Sequence, residues 1–260
     1  SYTARGLQAL FRSEFAVRGG EVHLDNGTLG AHLWPAFRAK GARPVVTRMS
    51  FTSSPRSAAL DMPTLLSAPA AGKLTALDLG ETKLATARVR EVIDSGFLLR
   101  ATELGLTRCR VGAKGVAALA RAAAPHLRRL TLGETGLKNA GVFELCDAPW
   151  ADGLTELDLM RNELDDDALV AMASSGRFVN LRWLDLRVNG PDLRPGCTAA
   201  IGDRGVMALA AAPNLARLRH LNLYRTRVTV RGVDALLNGG HCRLAELDLG
   251  GYDLGPELPT

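Results

Sequence analysis

The chain has 260 residues; 47% of them are hydrophobic, only 5% are aromatic, 43 are leucine, and the formal net charge is +5. A chain of this length can bury a core without a disulfide or metal staple, and the composition excludes a disordered or collagen-like protein. No apolar run reaches the roughly 18 residues that a membrane-spanning helix needs. Many leucines with few aromatic residues indicate a repeat protein built from small, similar layers.

The first predicted element is a helix within residues 1–18, where residues 6–11 read Gly-Leu-Gln-Ala-Leu-Phe. Similar hexads follow a strand in later parts of the chain, and here that strand would have to precede Ser1. Two interpretations stay open. Residues 3–17 are a dedicated cap for the end of the repeats, or the sequence is a piece of a longer protein.

Residues 19–254 are predicted to form nine repeats, most of them 26–28 residues long. The repeats start at residues 19, 46, 74, 101, 127, 154, 181, 218 and 244. Six copies match the pattern L-x-x-L-x-L, and the second half of many copies reads like Gly-Val-x-Ala-Leu-Ala at residues 115–120. Apolar residues at i, i+3 and i+4 mark one buried helix face. Each repeat is therefore a short strand, a turn and an amphipathic helix.

This pattern and period resemble the leucine-rich repeats of the ribonuclease-inhibitor-like subfamily, over essentially the whole chain. The resemblance implies an α/β solenoid shaped like a horseshoe, with a parallel β-sheet on its concave face and α-helices on its convex face. Nine such layers predict a single elongated domain over residues 1–260, with residues 255–260 as a tail.

In that family an Asn or Cys at the ninth repeat position holds the backbone of the turn. Cys109, Asn162 and Asn189 match this pattern. Threonine or serine replaces it in several other repeats, and Gly27 and Tyr252 cannot make the same bonds. Because buried turn amides need partners, repeats one, two and nine are predicted to be irregular.

The candidate binding residues follow from strand geometry. Side chains alternate across a strand, so the third, fifth, seventh and eighth repeat positions are predicted to face solvent on the concave side. In repeats six to eight these positions bring together Trp, Tyr and Arg, the residue types most enriched at binding hot spots. The alternative is that Trp183 only packs along the sheet. The predicted partner-binding residues are Asp158, Met160, Arg161, Trp183, Asp185, Arg187, His220, Asn222, Tyr224 and Arg225.

Repeat seven is lengthened by ten residues within residues 190–200. Insertions in solenoids emerge as loops and often serve binding, although a neutral insertion costs little entropy. The loop residues predicted to contribute are Pro191, Leu193, Arg194 and Cys197.

Catalysis is not favoured. Asp158 and Asp185 hold the fifth position of adjacent strands, and two close carboxylates can share a proton or bind a cation. The same Leu-Asp-Leu choice recurs at Asp78 and Asp248, however, and no Ser or Cys stands beside His220 to complete a nucleophile–base pair. We expect no catalytic residue, no metal site and no cofactor.

The leading hypothesis is a non-catalytic module that binds a protein partner on its concave face. An intramolecular partner, a flanking segment of a longer protein, stays open as well. Mixed charges at the third positions argue against a nucleic-acid track, and no membrane partner is expected. Without an export signal or a Cys-x-x-Cys pair, the expected location is the cytoplasm, or a host cytoplasm after delivery.

Two alternatives for the function remain. The Gly-Val-x-Ala-Leu-Ala hexads resemble those of bacterial leucine-rich effectors that carry an F-box, which implies the targeting arm of a larger effector or a ubiquitin-ligase-adapter-like protein. Some relatives of the subfamily are GTPase-activating proteins, but these usually carry an acidic tail, and residues 255–260 are not acidic enough to be one.

Overall fold

The structure is a computed structural model that describes residues 20–25, 46–52, 62–67, 71–81, 86–190, 200–239, 241 and 243–250. Three predictions fall outside these residues: the helix within residues 1–18, the tail, and almost all of the loop inserted in repeat seven. The ninth-position residues of repeats one, two and nine also lie outside them, so the irregular turns expected there stay a prediction.

Each predicted repeat contributes one strand within the described residues, at the place that the leucine pattern indicates. The strands are β1 (Gly20–Asp25), β2 (Val46–Thr52), β3 (Ala76–Asp78), β4 (Glu103–Gly105), β5 (Arg129–Thr131), β6 (Glu156–Asp158), β7 (Trp183–Asp185), β8 (His220–Asn222) and β9 (Glu246–Asp248). The central residue of most of these strands is a buried leucine, as Leu157 is in β6 and Leu184 in β7.

Helices alternate with these strands. They are α1 (Met62–Ser67), α2 (Thr86–Asp94), α3 (Gly112–Arg121), α4 (Lys138–Asp147), α5 (Asp166–Ser174), α6 (Asp203–Ala210) and α7 (Val230–Asn238). Short 3-10 turns at Phe97–Leu99, Pro149–Gly153 and Pro213–Leu215 lead into the next strand. The predicted α/β architecture of strand, turn and helix is confirmed.

The chain divides into two compact units. Unit 1 consists of Ser1–Arg110 and Ala122–Leu127, and unit 2 of Val111–Arg121 and Arg128–Thr260. Unit 1 contains β1 to β4, and unit 2 contains α3 and everything from β5 to β9. Whether the whole chain behaves as the single domain expected from the repeat count stays a prediction.

Within unit 1, β1 to β4 pair in parallel in chain order. Two of its third-position residues, Arg48 and Glu103, form an ion pair across Ala76 of the strand between them, with Arg48 Nη1 2.6 Å from Glu103 Oε2. At the eighth position Arg108 Nη1 lies 2.6 Å from Glu81 Oε1. The mixed signs in the sequence therefore form local ion pairs.

Within unit 2, β5 to β9 also pair in parallel and in chain order, and equal repeat positions lie side by side. Trp183 of β7 is opposite Glu156 of β6 and His220 of β8, and the fifth positions align in the same way. A one-residue slip would move every leucine to the other face of the sheet, so burial of the leucines fixes this register.

Aromatic side chains fill the core of unit 2 where the chain enters a strand. Phe178 precedes β7 and is fully buried, and Trp150 in the turn before β6 is buried with its Nε1 donating to the Leu119 carbonyl oxygen at 3.2 Å. The few aromatic residues thus serve the core as well as the surface, and Trp183 is the half-exposed tryptophan among those described.

Gly205, which opens one of the Gly-Val-x-Ala-Leu-Ala hexads, allows α5 and α6 to approach closely. A Cβ atom on Gly205 would lie 3.0 Å from the Asp166 Cα and 3.1 Å from the Leu169 Cβ on α5. The next helix pair is joined by Asp203, whose Oδ1 accepts from the backbone N of Thr229 at 2.8 Å. At position 205 the glycine is therefore a packing requirement of adjacent repeats.

Two fully buried asparagines, Asn162 and Asn189, connect consecutive turns in unit 2. Asn189 Oδ1 accepts from the backbone N of Asn162 at 2.8 Å, and its Nδ2 donates to the carbonyl oxygens of Leu159 and Leu186. Thr135 and Thr226 replace asparagine in their repeats, and each hydroxyl donates to a carbonyl oxygen three residues earlier. The two asparagines therefore link each of their turns to the backbone of the preceding repeat.

Candidate partner-binding surface

We call the side of the unit 2 sheet that carries the third, fifth and seventh repeat positions the strand face; the strand leucines point to the opposite side. At the third positions, two paired sets of polar side chains flank Trp183. Arg129 Nε forms an ion pair with Glu156 Oε2 at 2.8 Å, and His220 Nδ1 lies at hydrogen-bonding distance, 2.9 Å, from Glu246 Oε2. Trp183 lies between the two pairs and is half-buried. Its ring is an apolar surface bordered by polar side chains that already have partners.

The side chains at the fifth positions of β6 and β7 are less accessible than strand alternation predicts. Asp158 is 8% exposed and Asp185 is 1% exposed. Each carboxylate accepts from the backbone N–H two residues later: Asp158 from Met160 at 2.8 Å and Asp185 from Arg187 at 2.9 Å. Asn222 does the same for Tyr224 at 3.0 Å. The prediction that these two aspartates face solvent is wrong, because they bond the backbone at the end of their own strand.

Burial of this aspartate pair changes its acidity. The pKa of Asp158 is raised from 3.8 to about 6, chiefly by loss of solvation and also by the negative charge of Asp185, while the Met160 N–H bond and the Arg187 charge oppose the change. Burial also raises the pKa of Asp185, against the effects of the Arg187 N–H bond and the Arg187 charge. A carboxylate that loses water without a full set of partners favours its protonated form.

The seventh positions place Met160, Arg187 and Tyr224 side by side on the strand face. The Arg187 guanidinium contacts the Met160 Sδ, with Nε at 3.3 Å and Nη2 at 3.1 Å. Its Nε also lies 3.2 Å from Asp185 Oδ2. The arginine head is therefore held in place over the strand face by a thioether and a buried carboxylate.

The eighth positions begin the turn after each strand in the left-handed region, with φ of 53° at Glu134, 55° at Arg161, 58° at Val188 and 54° at Arg225. Arg161 Nη1 pairs with Glu134 Oε1 at 3.2 Å. The Arg225 guanidinium carbon lies 5.6 Å from the centre of the Tyr224 ring, a cation–π distance. A β-branched residue is strained in this region, so Val188 is the least favourable of the four.

All ten predicted partner-binding residues lie on β6 to β8 or in the turns that directly follow them. Eight are half-buried or exposed, and the exceptions are Asp158 and Asp185. Glu246 was missed although it neighbours His220 at the same repeat position. The four predicted loop residues, Pro191, Leu193, Arg194 and Cys197, lie outside the described residues, so their contribution stays a prediction.

Other chemistry has little support in the described part of the chain. There, no three His, Cys, Asp or Glu side chains are grouped so that they could hold a metal ion. Cys109 is buried, and burial raises the pKa of Cys146 to about 11, which keeps this thiol protonated at neutral pH. A separate finding is that none of the helices among these residues has the length and apolarity to span a membrane.

The buried Asp158 makes stability depend on pH. Its folded pKa of about 6 exceeds the ordinary value of 3.8, so the resulting stabilisation is complete below about pH 4 and is lost as the pH rises through 6. Asp158→Asn keeps the acceptor for the Met160 N–H, as Asn222 does for Tyr224, and carries no charge. We expect the variant to be more stable than the native chain by about 1–3 kcal/mol near pH 7, with no difference near pH 4.

Urea unfolding followed by circular dichroism at both pH values measures this difference. The matched control is Asp248→Asn, the same change at the exposed fifth position of β9, which is expected to alter stability by less than about 0.5 kcal/mol. An Asp158→Asn chain that is less stable near pH 7 would show that the ionised carboxylate is favoured where it lies.

A family model described as a leucine-rich repeat matches residues 154–173, which cover β6 and most of α5. No curated protein matches the sequence. Among solved structures, the crystal structure of the Rad7 and Elc1 complex in yeast shares a TM-score of 0.64 at 16% identity, over 93% of this chain and 57% of that chain.

Two further solved structures are less similar. A TLR13–ssRNA13 complex gives a TM-score of 0.46 at 18% identity, over 88% of this chain and 28% of that chain. A protein from Bacteroides fragilis gives 0.44 at 14% identity, over 84% and 69% of the two chains. The chain thus spans 57% of the length of the yeast chain and 28% of the TLR13 chain.

The repeated unit of a short parallel strand, a turn and a helix defines a repeat protein of the α/β class. Together with the leucine-rich repeat model that matches residues 154–173 and the fold shared with the yeast chain, this shows that the chain has a leucine-rich repeat fold.

Proposed function

We propose that the chain is a non-catalytic protein-interaction module of the ribonuclease-inhibitor-like subfamily, and that it binds its partner on the strand face of unit 2. The observation that supports this most is that half-buried Trp183, Met160 and Tyr224 lie on the strand face of three consecutive repeats, Trp183 at a third position and Met160 and Tyr224 at the seventh positions on either side of the exposed Arg187. We call these four residues together with Arg225 the central patch.

The central patch carries apolar surface that a partner would bury. Covering apolar area contributes about 25 cal/mol per Å², so the half-buried Trp183 and Tyr224 would each gain from a partner that lies over the strand face. Tryptophan, tyrosine and arginine are the usual centres of binding energy in protein interfaces. The paired side chains Arg129–Glu156 and His220–Glu246 border Trp183 and would form a polar rim.

Catalysis on the same face is disfavoured by the roles of its acids. Asp158 and Asp185 are committed to backbone N–H groups, and the neighbouring third and seventh positions of the described strands β6 to β8 carry no serine or cysteine. The yeast chain with the same fold was crystallised in a complex with Elc1, which is a precedent for protein binding by this fold and does not identify a partner here.

The test is the double variant Trp183→Ala with Tyr224→Ala. We expect the quantity of partner captured from a native lysate to fall at least tenfold, since hot-spot truncations cost about 2 kcal/mol or more each. The melting temperature is expected to stay near that of the native chain, because both rings are only half-buried. Quantitative mass spectrometry of the captured proteins and a thermal melt provide the two readouts.

The matched control is Phe143→Ala with Leu237→Ala, which removes two exposed apolar side chains from α4 and α7. This control should capture the same proteins as the native chain. Unchanged capture by the Trp183 and Tyr224 variant, or capture lost only together with a large drop in melting temperature, would rule out the strand face as the binding surface.

A further inference from the structure

We infer that the partner of the central patch presents a carboxylate-bearing peptide segment, in which an Asp or Glu side chain stands beside an apolar or aromatic one. This inference rests on the proposed function and deepens it, because it names the chemistry of the partner. Three properties of the strand face lead to it: the state of its acids, the position of its two central arginines, and the apolar surface next to them.

The acidic side chains of the strand face are already engaged with groups of this chain. Asp158 and Asp185 are buried and bond backbone N–H groups. The other carboxylates each have a partner at hydrogen-bonding distance: Glu134 with Arg161, Glu156 with Arg129, Glu246 with His220, and Asp248 with Asn222. A partner approaching the centre of the face therefore meets few uncommitted negative charges.

Arg187 presents donors outward from a fixed position. Its Nε and Nη2 contact Met160 Sδ, and its Nε also approaches Asp185 Oδ2. No described residue bonds its Nη1, and the side chain is exposed. A guanidinium that is already ordered loses little entropy when it binds a planar carboxylate. The buried Asp185 approaches Arg187 at Nε, so a carboxylate of the partner can still bind at the outward side of the guanidinium.

Arg225 provides the second cation. Its guanidinium lies over the Tyr224 ring, and the described residues place no carboxylate within 4.0 Å of it, whereas the eighth-position arginines Arg108 and Arg161 each face a glutamate. The residue at the eighth position of the preceding repeat is Val188, which cannot neutralise it. Arg225 is thus an exposed cation held on an aromatic ring, next to the seventh-position Arg187.

The apolar surface beside these cations selects for more than charge. Met160 contacts Arg187, the Tyr224 ring lies against Arg225, and both apolar side chains are partly accessible on the strand face. A purely acidic ligand would leave Met160 and the Tyr224 ring in water, whereas a segment with an apolar side chain next to its carboxylate would cover them and reach the arginines together. Charge complementarity and apolar burial therefore favour the same kind of segment.

The experiment is a selection from a phage-displayed library of random dodecapeptides on the intact chain, counter-selected on the variant Arg187→Gln with Arg225→Gln. We expect the recovered peptides to be enriched in Asp or Glu next to aromatic or aliphatic residues. The leading peptide, made synthetically, should bind the double variant about 10- to 100-fold more weakly, the usual effect of losing hydrogen bonds to charged groups.

Three controls sharpen the result. Replacing the acids of the leading peptide by their amides should weaken binding to the native chain to a similar degree. Binding should also weaken when the salt is raised from about 0.1 M to about 1 M, which shortens the Debye length from about 10 Å to about 3 Å. Arg204→Gln with Arg231→Gln, two exposed arginines on α6 and α7, should leave binding unchanged. Should the Arg187 variant fold poorly, Arg225→Gln alone serves, since Arg225 makes no ion pair in the described residues.

The outcomes separate this inference from the proposed function. Peptides without acidic enrichment that are lost with the Trp183 and Tyr224 double variant would overturn the inference and leave the proposed function standing. Tighter binding of a mixed-sequence RNA oligomer through the same two arginines would also overturn it, by assigning them to phosphate. If the selected peptides bind the arginine double variant and the Trp183 and Tyr224 double variant as tightly as the native chain, both this inference and the proposed function are overturned.

Discussion

Replacing Asn162 with alanine is expected to lower the free energy of unfolding by about 3–5 kcal/mol, the largest effect of any polar substitution that the described residues suggest. Asn162 is 0% exposed. Its Oδ1 lies within 3.3 Å of the backbone N of Thr135, Gly136 and Leu137, and its Nδ2 donates to the carbonyl oxygens of Leu132 and Leu159. Alanine would leave these buried backbone groups without partners and open a void between two turns.

Urea unfolding followed by circular dichroism measures this loss. The control is Asn238→Ala, because Asn238 is exposed near the end of α7 and its Nδ2 bonds only Asp234 on the same helix. That change should alter stability by less than about 0.5 kcal/mol. A loss below about 1 kcal/mol for Asn162→Ala would mean that water can replace the asparagine, and that the turns do not depend on it.

The second large effect is expected for Phe178→Ala, which should destabilise the chain by about 3–5 kcal/mol. Phe178 is 0% exposed and has a φ of 64°, so the backbone there is already strained for a residue with a Cβ atom. Alanine retains that Cβ atom and hence the strain, so the change isolates the contribution of the buried ring. Removal of the ring leaves a cavity in the core that the strand leucines cannot fill.

The chain offers a matched comparison in Phe143→Ala, since Phe143 on α4 is 44% exposed. The same chemical change at that site should cost less than about 1 kcal/mol, because little apolar area returns to water there. Thermal unfolding of both variants against the native chain gives the two differences. Equal losses at the two sites would mean that the environment of Phe178 is not a packed core.

Much of the fold was predictable because the leucine period is itself the structural signal. Leu157 and Leu184 occupy the central strand residues that the pattern L-x-x-L-x-L indicates, and both are completely buried. Asn162 and Asn189 were recognised from their repeat position, and their side chains bond neighbouring turns as that position implies. A repeated pattern constrains a structure strongly, since each copy must pack against the next in the same way.

The candidate site was only partly predictable. Strand alternation correctly placed Trp183 and Tyr224 on an accessible face, yet the same rule placed Asp185 in solvent, and it is buried. Alternation gives the side of the sheet to which a residue points and does not give what covers it. Arg187 lies against Asp185 and contacts Met160 of the preceding repeat; the repeat pattern aligns these positions but does not specify which of their side chains cover one another.

The sequence by itself therefore determined the repeat length, the position of each strand, and the asparagines that hold the turns, because these depend on local spacing and on burial of one face. Only the tertiary structure decided which charges neutralise each other, which aspartates are buried and have a raised pKa, and which aromatic residues belong to the core. These properties arise when side chains of adjacent repeats come within a few ångströms of one another, where solvation and short-range contacts outweigh the preference of any single residue.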